Sequence, residues 1–526
     1  MIKREYSYEK IPYGANQYGD TDFSKVKIVE AKYAETFAYT GNPYIEALPM
    51  LSVEVDDVIK MFMVPPQMPT SQKIAALPKR AKLDIFKKAK EDLRIPLPFH
   101  RDLLMAFDST IKEGYDKRVE CKLNEKIKID GQDITIKTGL QAYHPGEAID
   151  GFALLGLSGI GKSTAVNTLL DQYPNVIIHH FGDETVIQIV YLKVTCKPNK
   201  NFDALYDSIA EALDKTLCDP DQPHLKDMKR TRGLAQKSNI VQEYIDKFAI
   251  GVIIFDEIQN IDLKSANSNS IEALLTINND THVGMGVLGT EESFHDLFER
   301  KDRTGRRLPR YIPAGRYIDD PDSFYMIIRA LFTIQPFEPK VKPDADIIKA
   351  FYEESAGIIG NVFDLYPLIV EDYIMADQKP VVNGDYIRKI AARDGKTTHN
   401  RVVEYLNPSN QAGIKNRKLI EKMNSEGNTS EIKQADEEFV AVEYKISNDV
   451  LLRKVADSIA ERYPQYNIEK VENAVEASMN KGLSTESEIT AEAIKNLKSG
   501  KTDKRAGKKS PKISSAEIRS RLEECE

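Results

Sequence analysis

Residues 156–163 read Gly156-Leu157-Ser158-Gly159-Ile160-Gly161-Lys162-Ser163, the spacing G-x-x-x-x-G-K-[ST]. That spacing suits phosphate chemistry. Glycines at the turns let backbone N–H groups converge on an anion with no Cβ in the way. Lys162 would reach the β- and γ-phosphates of a nucleoside triphosphate, and the Ser163 hydroxyl would be a ligand for Mg2+. Gly156, Ser158, Gly159, Ile160, Gly161 and Thr164 are expected to complete the wrap around ATP. An apolar run at 152–155 feeds the loop as a buried strand would, and 163–170 leaves it with a helical pattern. The plainer reading, a Gly-rich turn that matches by chance, does not account for strand before and helix after.

A second run, Gly251-Val252-Ile253-Ile254-Phe255-Asp256-Glu257, is apolar and β-branched and ends in two acids. A strand apolar at every position is buried on both faces, as in a parallel sheet. Ligands sit at the C-terminal ends of such strands. Asp256 would hold Mg2+, and Glu257 would polarise an attacking water, which favours hydrolysis over small-molecule phosphorylation. A third run, 283–289, ends at Thr290, a candidate for orienting that water and sensing the γ-phosphate. The competing role for Thr290 is a turn or helix cap. Beyond it lies an Arg-rich segment, Arg300, Arg303, Arg306, Arg307 and Arg310. Arg303, Arg306 and Arg307 are candidates for an arginine supplied to a neighbouring subunit's site, where it would stabilise charge on the transferred phosphoryl group. A solvated basic loop is the alternative.

These groups need a scaffold. A further apolar strand is expected over 186–192, and helices over 203–217 and 235–248. Four strands separated by helical patterns predict an α/β core with a parallel sheet flanked by helices. Ahead of it, 75–93 and 101–115 read as helices and 127–136 as a β-hairpin turning at Asp-Gly. Residues 344–355, 359–376 and 383–393 predict a small helical lid. The expected organisation is an N-terminal arm (1–41), an N-terminal segment (42–139), the core (140–335), the lid (336–400) and a charged C-terminal region (401–526). In that last region 450–462 and 468–479 look helical, and the Lys-rich end reads as a basic tail.

Composition narrows the class. The 526 residues are 41% hydrophobic and 29% charged, with a net charge of −8. No apolar run approaches the ~20 residues needed to cross a bilayer, so no membrane role is expected. The first residues lack the apolar core of a secretory signal. Four scattered cysteines, Cys121, Cys196, Cys218 and Cys525, fit neither a zinc site nor a disulfide framework, and suit a cytoplasmic protein.

The loop, the acid pair and the lid resemble the AAA+ superfamily. Within it the chain resembles the TnsC-type ATPases that regulate target-selective bacterial transposons. The segments that carry this are Asn42-Pro43-Tyr44-Ile45-Glu46-Ala47-Leu48-Pro49, the loop followed by 173–177, the strand at 190–196, Phe255-Asp256-Glu257-Ile258-Gln259-Asn260, Leu288-Gly289-Thr290 and the Arg303/Arg306/Arg307 cluster. The likeness covers about 40–395. Gly357-Ile358-Ile359-Gly360-Asn361-Val362-Phe363 lacks the arginine that AAA+ lids often carry. The resemblance implies that Asn42, Pro43 and Tyr44 help hold the nucleotide. It also implies a bacterial protein that assembles with ATP, as a homo-oligomeric ring or filament, on double-stranded target DNA. Such an assembly would recruit transposase subunits, link them to a target-selector protein, and come apart on hydrolysis. Two other readings stay open: a replication-initiator or helicase-loader type of AAA+ switch, and a scaffold ATPase that ignores DNA. Candidate DNA contacts are Lys197, Asn199 and Lys200 after the 186–192 strand, and Lys229, Arg230 and Arg232. They would neutralise phosphates without reading sequence, unless these stretches are merely solvated loop faces.

Overall fold

The computed structural model describes residues 8–147, 149–198, 202–261, 270–290, 293, 310–314 and 321–394, and parts of 455–499. It divides into two units, 1–439 and 440–526.

At the centre of the first unit is a five-stranded sheet. Its strands, in chain order, are β6 (Phe152–Gly156), β9 (Tyr191–Thr195), β10 (Val252–Asp256), β11 (Gly284–Gly289) and β12 (Arg310–Ala314). They lie in the order β12-β6-β11-β10-β9, every neighbouring pair parallel. The loop strand β6 is therefore next to β11, and the strand ending in two acids lies one further out. The fold is an α/β fold, a parallel sheet flanked by helices. β12 was not anticipated, because its sequence Arg-Tyr-Ile-Pro-Ala follows a charged stretch and offers little apolar run. Arg310 opens that strand and donates to the Ala106 carbonyl oxygen at 3.2 Å.

Side chains alternate across the sheet, and each face has its own core. Phe152, Leu154, Val252 and Ile254 face a cluster built with Leu103, Leu104, Phe107 and Ile111 of the helix His100–Asp116. Ala153, Leu155, Ile253 and Phe255 face the other cluster, with the helices Phe202–Thr216 and Leu234–Lys247. Gly286 is required by packing between strands: a Cβ there would meet the Phe152 ring at 2.4 Å.

The strand expected over 186–192 is two strands. β7 (Val176–Phe181) and β8 (Glu184–Ile189) pair antiparallel, and the chain then enters β9 in the main sheet. Val190 is the joint, its N–H donating to the Asn175 carbonyl oxygen at 2.9 Å. Nothing in an unbroken apolar run marks such a change of sheet. Residues expected as an arm of little regularity also supply three short strands, β1 (Lys10–Ile11), β2 (Ile28–Glu30) and β3 (Tyr33–Ala34). β2 extends the side sheet parallel to β7. The hairpin is longer than expected, β4 (Arg118–Ile129) and β5 (Gln132–Ala142), and it turns at Asp130-Gly131.

The helix Lys79–Asp92 lies along the lid helix Ile359–Met375 and is fastened near both ends. Lys79 donates to the Met375 carbonyl oxygen at 2.8 Å and Lys90 to that of Phe363 at 3.0 Å. The lid is completed by Ala345–Ser355 and Gly384–Asp394, tied by Arg388 to Glu353 (3.0 Å) and Asp346 (3.2 Å). In the second unit the helices Ile468–Met479 and Glu486–Ser499 pack through Val471, Ala474, Val475, Ile489 and Ala493. The second of these helices was not foreseen. Residues beyond 499, including most of the basic tail, lie outside the described residues. Among the described residues no helix is long and apolar enough to cross a membrane.

Candidate nucleotide site

The C-terminal ends of β6, β10 and β11 open onto one cavity of about 520 Å³. Ser158, Gly159, Gly161, Lys162, Ser163 and Thr164 line it from the loop. Asp256, Glu257 and Gln259 line it after β10, and Gly289 and Thr290 after β11. Two stretches distant in sequence complete its lining, Lys90–Leu97 and Ile359, Gly360 and Phe363 of the lid.

The loop is shaped by its glycines. Gly159 and Gly161 sit at φ of 82° and 93°, where a side chain is strained. Gly161 begins the helix Lys162–Leu170, so the free N–H groups of the first turn face the cavity, where an anion is favoured. A Cβ on Gly161 would also meet Leu97 at 3.2 Å. Lys162 donates to the carbonyl oxygens of Gly156 (2.9 Å) and Leu157 (2.7 Å), which holds it within the loop's own turn.

Asp256 is buried and fully engaged. Its Oδ1 accepts from Ser163 Oγ at 3.1 Å and from the Glu257 N–H at 3.0 Å. Its Oδ2 pairs with Lys193 Nζ at 3.0 Å, and Lys193 also donates to Asn167 at 2.7 Å. A hydroxyl and one carboxylate side by side are hard oxygen donors, the set that Mg2+ takes when triphosphate oxygens and water fill its remaining positions. The donors therefore fit Mg2+ bound together with ATP. Sequence reasoning assigns no role to Lys193. The signal available was a lysine inside the otherwise apolar strand Tyr191–Thr195.

Glu257 follows β10 in the left-handed region, φ 60°, with its side chain exposed toward the cavity. Its Oε2 accepts from Gln259 Nε2. Gln259 Oε1 in turn accepts from the Thr290 N–H at 3.3 Å. Thr290 Oγ1 is buried and has no partner among the described residues. Cys196, at the end of β9, is buried, and burial pushes its thiol up to about 12, so it is no nucleophile.

Asn42, Pro43 and Tyr44, expected at the nucleotide, do not line this cavity; the stretch Lys90–Leu97 stands there instead. All three are buried in a structural joint. Asn42 caps the short helix Pro43–Glu46 and donates to the Tyr115 carbonyl oxygen at 3.2 Å. The Tyr44 hydroxyl donates to Glu120 at 2.9 Å. Glu46 of the same octet accepts from Lys10 (2.6 Å), Tyr8 (2.5 Å) and the Gly41 N–H (2.8 Å). The octet is explained by this packing.

Arg303, Arg306 and Arg307 lie outside the described residues, as do Asn199 and Lys200. Lys197 is exposed and paired with Glu211 at 2.7 Å; Lys197 and Lys215 together hold that carboxyl at about 2. Lys229 and Arg230 end the helix Pro223–Arg230, and Arg232 follows; all three are exposed. Arg230 is 3.5 Å from Asp227.

The fold and this site define a P-loop NTPase core. Residues 151–298 match the family model described as an AAA domain, and that part of the chain is a P-loop ATPase domain. Among solved structures the chain is similar to the ORC1 protein of Aeropyrum pernix in complex with DNA, with 15% identity and a TM-score of 0.32 over 50% of this chain and 63% of that one. It is similar to a Walker-type ATPase of Pyrococcus abyssi, with 13% identity and a TM-score of 0.34 over 56% and 84%. It is also similar to Cdc6p from Pyrobaculum aerophilum, with 13% identity and a TM-score of 0.29 over 48% and 66%. The chain thus spans a little under two thirds of the first of these. No curated protein matches the chain.

Proposed function

We propose that this ATPase is a DNA-assembling regulator of transposition. ATP-bound subunits assemble on double-stranded target DNA, link target selection to transposase recruitment, and separate on hydrolysis. The observation that carries the nucleotide switch is the single cavity shared by the loop, the acid pair and the lid. A lid that rests on the phosphate loop can change its position with nucleotide state, and so give ATP and ADP forms different surfaces. The assignment to transposition is supported by the likeness of the Asp256-Glu257-Ile258-Gln259 run to the segment of that family.

Each group then has a task. Loop N–H groups and Lys162 bind the β- and γ-phosphates. Ser163 and Asp256 would hold Mg2+, which supplies charge neutralisation across the phosphate oxygens. Glu257 takes a proton from the attacking water as its oxygen bonds to the γ-phosphorus and the bond to the β-phosphate oxygen breaks. Thr290 orients that water. An arginine from Arg303, Arg306 or Arg307 of a neighbouring subunit stabilises the departing charge. Lys197, Asn199, Lys200, Lys229, Arg230 and Arg232 contact DNA phosphates.

The test is electron microscopy of the full chain with duplex DNA and a non-hydrolysable ATP analogue, beside controls lacking one or the other. Rings or filaments that need both ligands support the reading. Charge reversal at Lys229, Arg230 and Arg232 should then abolish them with analogue affinity unchanged. Particles indifferent to DNA would sink it in favour of a scaffold ATPase. Assemblies on DNA that never retain a cognate transposase would point to an initiator type of switch.

A further inference from the structure

We propose that Gln259 is a positioning residue for hydrolysis, a two-ended amide that holds Glu257 in register with Thr290. The inference rests on the reading of Glu257 as the group that takes the water's proton.

Glu257 lacks the packing that fixes most side chains. It sits just past the end of β10 in a left-handed backbone conformation, with an exposed side chain. Gln259 supplies what packing does not. Its Nε2 donates to Glu257 Oε2, and its Oε1 accepts from the Thr290 N–H at 3.3 Å. One side chain thus spans from the end of β10 to the end of β11. Its own backbone is pinned on both sides. Ile258 is fully buried, and the Asn260 side chain donates to the Cys196 carbonyl oxygen at 3.0 Å while its N–H donates to the Glu257 carbonyl oxygen at 2.9 Å. The short turn Ile258–Asn260 is therefore a rigid base from which the amide reaches out.

A primary amide does both jobs. It carries a donor for a carboxylate and an acceptor for a backbone N–H on one planar group. A carboxylate at 259 would keep the acceptor, lose the donor, and set a like charge against Glu257. Alanine would lose both. With one oxygen of Glu257 engaged by Gln259, the other is left to face the water. Because that orientation matters only during reaction, its loss should appear in kcat and not in ATP affinity.

The experiment compares steady-state ATPase kinetics and analogue binding for the full chain carrying Gln259→Ala, Gln259→Glu, Glu257→Gln, and Glu257→Gln with Gln259→Ala. Both Gln259 variants should lose about 10- to 100-fold in kcat with KM and analogue affinity within about twofold, since positioning acts on the transition state. Gln259→Glu is nearly isosteric, so its loss is not one of folding. In the Glu257→Gln background, Gln259→Ala should cost nothing more. Unchanged kcat in both Gln259 variants, a rise in KM alone, or an additive loss in the double variant overturns the proposal. Normal turnover in Glu257→Gln refutes the reading of Glu257 itself, and a slow Gln259→Ala beside it would show that Gln259 acts by some other route.

Discussion

The N–H of Gly360 donates to the carbonyl oxygen of Gly159 at 2.7 Å. The first turn of the lid helix is therefore bonded to the loop that would hold the phosphates. A Cβ on Gly360 would lie 2.8 Å from that same oxygen. This close approach leaves no room for a side chain at 360.

Gly360→Ala should push the lid off the loop. Overpacking of this kind costs about 1–3 kcal/mol, so ATP-analogue affinity is expected to fall roughly tenfold. Titration of a fluorescent analogue measures this. Wild-type affinity would mean that the lid contact is passive.

Lys193→Met removes the cation on Asp256 and keeps most of the stem. Lys193 and Mg2+ compete for one carboxylate, so the half-saturating Mg2+ concentration should fall by about 3- to 10-fold, a change on the order of 1 kcal/mol. Mg2+ titration of analogue binding reads this without turnover. A higher requirement would show that Lys193 holds Asp256 in place for the metal.

Gly286→Ala should destabilise the sheet by about 2 kcal/mol or more, because its Cβ would strike the Phe152 ring. Urea unfolding would show a lower midpoint with an unchanged slope.

Acid should loosen the wall beside Leu97. His100 is buried, stacked 4.1 Å from the Phe62 ring, and its Nδ1 accepts from the Leu97 N–H at 2.8 Å. Burial lowers its pKa to about 3. The unfolded chain, with a histidine near 6.5, binds more protons over that interval. Stability from this group is thus complete above about pH 6.5 and drains away as pH falls toward 3. Melting temperatures at pH 7.5 and 5.5 should differ less in His100→Gln than in the wild type.

The core was legible where apolar runs are long and end in chemistry. β6, β10 and β11 each announce themselves this way, and the helices Phe202–Thr216, Leu234–Lys247 and Ile359–Met375 follow their periodicity to within a residue or two. Legibility failed where tertiary context decides. The passage through Val190 from the side sheet to β9 leaves no local mark, and neither does the pairing of Lys193 with Asp256, 63 residues apart in number but on adjacent strands. Asn42, Pro43 and Tyr44 show a different limit. A distinctive octet can be distinctive because it packs, and here Glu46 with its three donors is reason enough for it.

The cavity walls are drawn from Lys90–Leu97, from the loop and strand ends, and from Ile359–Phe363, stretches some 270 residues apart along the chain. A nucleotide that filled it would touch all of them at once and act as a removable piece of the core. Its concentration then becomes a folding variable. At a hundredfold excess over Kd, ligand adds about 2.7 kcal/mol to the stability of the bound form. The same chain should resist heat and protease in cells rich in nucleotide and become fragile when the supply falls, so that its abundance follows the energy state of the cell.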